Sequence, residues 1–232
     1  MQKCVLANAC LFVKLAYIVR TKWLEHIVVE SVQITFQNSR TLKTEFLEPP
    51  FTNSVNASIM EEKIRQDLYQ YLLSRGKIDE RMPECPDLED KWPELAQAYL
   101  PDGIREFNAY PTVSLGWVMF IGMAMATYWD KDWERYGQTP NIYEQMRNQR
   151  GFDCLDEYIL EDVLHMKGDG LKQLNDLVAE CASRTNNALI HAHLEPGTPE
   201  AFKAYVACLH QLYLMGMAVQ LKRLGYHMEL TD

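Results

Sequence analysis

Between Val113 and Trp129 the apolar residues cover every side of a helical wheel. A helix without a polar face must lie at the centre of a domain or in a membrane. Pro111 or Thr112 can open this helix and Gly137 can close it, giving a segment from Thr112 to Tyr136. Its wholly apolar part is short of the roughly 20 residues that span a bilayer. Asp130, Lys131 and Asp132 follow at once, so the segment is read as a protein core. Gly116, Gly122, Ala124 and Ala126 leave room for neighbouring helices, and the flexible Met119, Met123 and Met125 fill irregular gaps.

The partners of that helix follow from 3.6-residue periodicity. Ile64, Leu68, Tyr71 and Leu72 form one face of a helix over 60–75, ended by Gly76. Pro83, Pro86 and Pro93 mark a connector, after which a short helix runs from Pro93 to Leu100 and Pro101-Asp102-Gly103 forms a turn. Helices follow over Asn141–Gln149, Phe152–Met166 and Leu171–His191. Thr198 caps a last one, ending at Leu224 with Gly225 as its C-cap. No sustained β alternation occurs after residue 60. The prediction is an all-α, compact bundle of five or six helices around a central apolar helix near 112–136.

The first 59 residues are of another kind. They hold no Gly and no Asp and carry six basic against four acidic residues; subtraction from 23 and 32 leaves 17 basic and 28 acidic for residues 60–232. Met60-Glu61-Glu62 opens directly into an amphipathic helix with carboxylates in its first turn, where they suit the helix dipole. The expectation is that the native chain starts at Met60, with residues 1–59 a detached extension and 60–232 the helical domain. The alternatives are an authentic N-terminal extension, with a helix near Cys10–Val29 and a strand-like Val32–Phe36, or an export signal. Lys14 and Arg20 interrupt the apolar stretch that a signal would need.

Net charge and cysteine usage narrow the partners. A charge of -9 without any basic run argues against nucleic acid and anionic membrane, because phosphate binding needs clustered Lys and Arg. Cys4, Cys10, Cys85, Cys154, Cys181 and Cys208 form no C-x-x-C pair, and the last three sit in apolar helical patterns. Free thiols used as small core residues fit a reducing cytoplasm, the expected location of this acidic protein.

Two constellations carry chemical potential. Glu157, Glu161 and His165 are spaced by four, with Asp162 three before His165. Carboxylates and an imidazole along one helix face are what a divalent metal takes in carboxylate-bridged bundles, although there a second copy of the motif faces the first. Tyr110, Trp117, Tyr128, Trp129 and Trp133, interleaved with Asp130, Asp132 and Glu134, mix rings and carboxylates in a way that suits a cationic or aromatic ligand. Gln220, on the apolar face of the last helix, either bonds to another helix or lines a pocket. His191-Ala192-His193 sits at a helix end, where a surface or capping role is the simpler reading. No G-x-S-x-G, P-loop or G-x-G-x-x-G is present.

Asn108-Ala109-Tyr110-Pro111-Thr112 through Tyr128-Trp129-Asp130-Lys131-Asp132-Trp133 resembles a helical family of gut bacteria without an assigned activity. The resemblance covers residues 60–232 and implies a single helical bacterial domain; it carries over no catalytic or binding residue. The function expected is a non-enzymatic module acting through a protein partner or as a homo-oligomer, with no cofactor, nucleic acid or membrane. The alternative is a metal-dependent or small-molecule enzyme with Glu157, Glu161, Asp162 and His165 at its centre.

Overall fold

The computed structural model describes residues 55–81, 85–195 and 197–227. The apolar segment forms α4 (Pro111–Tyr136), and the other elements are α1 (Val55–Ser74), α2 (Pro86–Glu89), α3 (Trp92–Ala109), α5 (Ile142–Arg150), α6 (Leu155–Glu157), α7 (Gly168–His191) and α8 (Pro199–Arg223). A 3-10 turn at Phe152–Cys154 precedes α6 and a π-helix at Tyr158–Val163 follows it. The fold is an all-α bundle with no strand among the described residues, and six of its helices have nine or more residues.

Two helices make the centre where one was expected. α4 and α8 run in the same direction, with Ser114 meeting Tyr205 at one end and Thr127 meeting Gln220 at the other. A side-chain carbon on Gly122 would collide with the Tyr213 carbonyl, and one on Gly216 with the Met119 carbonyl. Both helices are long and apolar enough to cross a membrane by length and composition, so length alone does not exclude a span, contrary to the sequence argument. Burial carries the point instead: the apolar windows are 78% and 89% covered by the rest of the bundle. α1 lies along α8, α7 along α4, and α3 folds back over the start of α4, where the Tyr99 hydroxyl donates to the Ser114 carbonyl at 2.5 Å.

Several boundaries moved for physical reasons. α1 begins at Val55, so its first turn precedes Met60, which is itself buried. The extension over 1–59 lies outside the described residues up to residue 54. Pro101-Asp102-Gly103 is not a turn but the middle of α3. Tertiary contacts override the local preference there: Asp102 is buried and accepts the Tyr143 hydroxyl at 2.9 Å, and the Tyr99 ring lies against Gly103. α4 breaks at Asp132 (φ -169°), whose Oδ1 accepts the Arg135 amide at 3.1 Å. This is an aspartate acting as N-cap for a restarted turn. The predicted caps Thr198 and Gly225 are in place: Thr198 Oγ1 accepts the Ala201 amide at 3.2 Å, and Gly225 takes φ 93°.

Candidate functional site

The last two turns of α4 carry most of the predicted aromatic residues, which face different sides of the helix. Tyr128 points toward α5 and the π-helix. Its ring stacks on Tyr136 with centroids 4.4 Å apart, and its hydroxyl lies 3.4 Å from that of Tyr158. Burial, reinforced by the neighbouring Tyr158 hydroxyl, pushes the Tyr128 phenol well above its ordinary range. Trp129 donates its indole N–H to Asp87 Oδ2 at 3.0 Å and meets the Tyr226 ring edge-on. Trp133 is half-buried against Gly137, where any β-carbon would collide with its indole.

Each side of this helix end is concave. Toward α2 and α3 lies a groove of about 390 Å³ lined by Asp87, Asp90, Lys91, Glu94, Trp133 and Glu134 among others. Glu94 accepts Lys91 Nζ and the Asn141 amide, both at 3.1 Å, and Asp87 is held by Trp129. The exposed Asp90 and Glu134 carboxylates have no partner among the described residues. Toward α5 lies a cleft of about 460 Å³ that includes Tyr128, Lys131, Arg135, Tyr136, Tyr158, Asp162 and His165. Backbone irregularity concentrates around it. Asn141 (φ 50°) and His165 (φ 53°) are left-handed non-glycine residues, and the π-helix forms one wall. Such conformations cost free energy and collect at functional sites.

The remaining predicted residues fall elsewhere. Tyr110 is 49% exposed at the start of α4, 18 residues before Tyr128 and so roughly 27 Å away along the helix axis. Trp117 is buried in the core, edge-on to Phe152 at 4.7 Å. Gln220 is buried and donates its amide to Thr127 Oγ1 of α4 at 3.1 Å.

The candidate metal residues do not form a ligand set. The four-residue spacing assumed an α-helix, whereas the chain passes through a π-helix closed by Leu164 N donating to the Ile159 carbonyl. His165 lies beyond it in the left-handed region. Arg150 takes both neighbouring carboxylates, Glu161 Oε2 at 2.8 Å and Asp162 Oδ2 at 2.9 Å. Glu157 sits one turn earlier, half-buried. Among the described residues, no three His, Cys, Asp or Glu side chains converge for a metal. His191 and His193 are exposed at the end of α7, His193 in the left-handed conformation that terminates helices. Cys85, Cys181 and Cys208 are buried free thiols, and burial pushes Cys181 up to about 12.

Three groups that matter were not picked out by sequence reasoning. Asp102, hidden in an apparent turn motif, binds Arg147 Nε at 2.7 Å and Arg105 at 3.2 Å. Asp156 is buried beside Trp117, and burial raises its carboxyl above the usual range. Arg150, which neutralises the acidic pair, lies 11 residues before Glu161 and could have been suspected only as a cation on the preceding helix. No family model, curated protein or solved structure matches this chain.

Proposed function

We propose that this chain is a helical binding module that engages a protein partner at the kinked end of α4. The observation that carries this reading is the Trp133 groove. It combines the Trp133 indole with the unpaired carboxylates of Asp90 and Glu134 at the edge of a buried scaffold. An indole beside carboxylates suits a Lys or Arg side chain, since the ring face attracts a cation and the carboxylates complete its hydrogen bonds. The rigid α4–α8 pair behind the groove would keep this geometry fixed before binding, which lowers the ordering cost of association.

The test is a titration of the ¹⁵N-labelled chain with a short peptide carrying two arginines, following the Trp133 indole signal. The expected result is a saturable shift, absent with a glutamate counterpart and lost when Asp90→Asn and Glu134→Gln are combined. Both changes fall on exposed side chains, so the fold should persist. An indole signal that ignores the arginine peptide, or answers both peptides equally, would sink the reading.

A further inference from the structure

The cleft on the other side of α4 holds cations without ion pairs, and what it could bind goes beyond the partner-binding reading. Its acidic residues are already engaged: Asp130 accepts the Tyr226 hydroxyl at 2.7 Å, and Asp162 is paired with Arg150 at 2.9 Å. Its cations are not. Lys131 has no ion pair among the described residues, and the Arg135 guanidinium lies over the Tyr136 ring at 5.3 Å without a carboxylate. A chain of net charge -9 therefore places in this cleft two cations, Lys131 and Arg135, that no carboxylate pairs.

The inner surface complements that rim. Tyr128 and Tyr136 offer stacked rings, while Ile142, Met146 and Val163 close the apolar floor. The Tyr128 and Tyr158 hydroxyls form a polar spot within it. A volume of about 460 Å³ lies within the roughly 300–1,000 Å³ of small-molecule pockets, which pair apolar walls with a few placed polar groups.

We infer that this cleft binds a small aromatic carboxylate. The ring would lie among the tyrosines, and the carboxylate would be held at the rim by Lys131 and Arg135. Arg suits this role because its planar guanidinium can hold a carboxylate with two hydrogen bonds. Being stacked on Tyr136 already, it loses less freedom on binding.

Isothermal titration calorimetry of the full chain with 4-hydroxyphenylacetate tests this. A Kd on the order of 100 μM is expected for a ligand of that size, with tyramine, its cationic counterpart, binding at least about tenfold more weakly. Combining Lys131→Gln and Arg135→Gln should weaken the carboxylate about tenfold or more. Combining Lys63→Gln and Lys172→Gln, which removes the same charge from exposed positions elsewhere, should leave it unchanged. All four side chains are exposed, so neither variant threatens the fold. Binding of tyramine equal to that of the acid would overturn the inference. So would an absence of heat at millimolar acid, or equal losses in the two double variants.

Discussion

Gly122 on α4 and Gly216 on α8 each sit against the other helix's backbone, Gly122 under the Tyr213 carbonyl and Gly216 under the Met119 carbonyl. The two most apolar helices of the bundle thus touch main chain to main chain, with no side chain able to yield between them. Gly122→Ala or Gly216→Ala should force the helices apart. Overpacking of a tight core costs about 3 kcal/mol, or roughly 6–12 °C in melting temperature for a domain of this size. Thermal unfolding of the two variants checks this. Gly170→Ala is the control, because its neighbour is only the flexible end of Met166; it should fall far less.

Asp102 holds α5 to α3. Its carboxylate accepts the Tyr143 hydroxyl at 2.9 Å and pairs with Arg147 at 2.7 Å, both from α5. Asp102→Ala would leave a buried hydroxyl and a partly buried guanidinium without their acceptor, at a cost of about 2 kcal/mol after screening at the exposed Arg105. Hydrogen exchange should locate the loss in Ile142–Arg150. Uniform loss across the bundle would show that Asp102 supports the core generally and not the docking of α5.

Much of the helical architecture was legible because periodicity is a one-dimensional signal. Ile64, Leu68 and Leu72 mark the buried face of α1 by spacing alone, and all three are fully covered. Thr198 and Gly225 work as caps because capping is decided within one turn. The failures are where a distant partner decides. Pro101-Asp102-Gly103 reads as a turn until Tyr143 and Arg147 arrive from α5. The aromatic run gave the right helix end, but the two concavities that Tyr128 and Trp133 line exist only once α2, α3 and α5 pack beside it. The four-residue spacing of Glu157, Glu161 and His165 was a true pattern placed on a helix that the structure winds differently.

Asp156 sets a pH dependence of defined sign. Burial disfavours its charged form and raises its carboxyl above the ordinary value of 3.8. A carboxyl raised in the folded state destabilises that state when ionised, so the protein gains stability as pH falls from the raised value toward 3.8. Asp156→Asn keeps the shape without the charge. It should raise the melting temperature at pH 7 and flatten the part of the pH–stability profile between pH 7 and the usual carboxylate range. Equal profiles for both proteins would mean that the carboxylate is as well solvated in the bundle as in the unfolded chain.

Arg150 clamps the π-helix from outside by holding Glu161 and Asp162 together. These ion pairs lie at the surface, so Arg150→Gln should leave the melting temperature nearly unchanged. Its effect should be local. Without the clamp two adjacent carboxylates repel each other on a segment whose five-residue hydrogen bonding is already a poor competitor of the α-helix. Amide exchange in Tyr158–Val163 should therefore accelerate while α7 and α8 keep their protection. Freeing the Asp162 carboxylate also places a negative charge in the cleft that holds Lys131, Arg135 and His165. The same variant should weaken 4-hydroxyphenylacetate binding, and adding salt should narrow its difference from the unaltered protein. Unchanged exchange in the π-helix would mean that Tyr158–Val163 is held by its buried Ile159, Leu160 and Val163 alone.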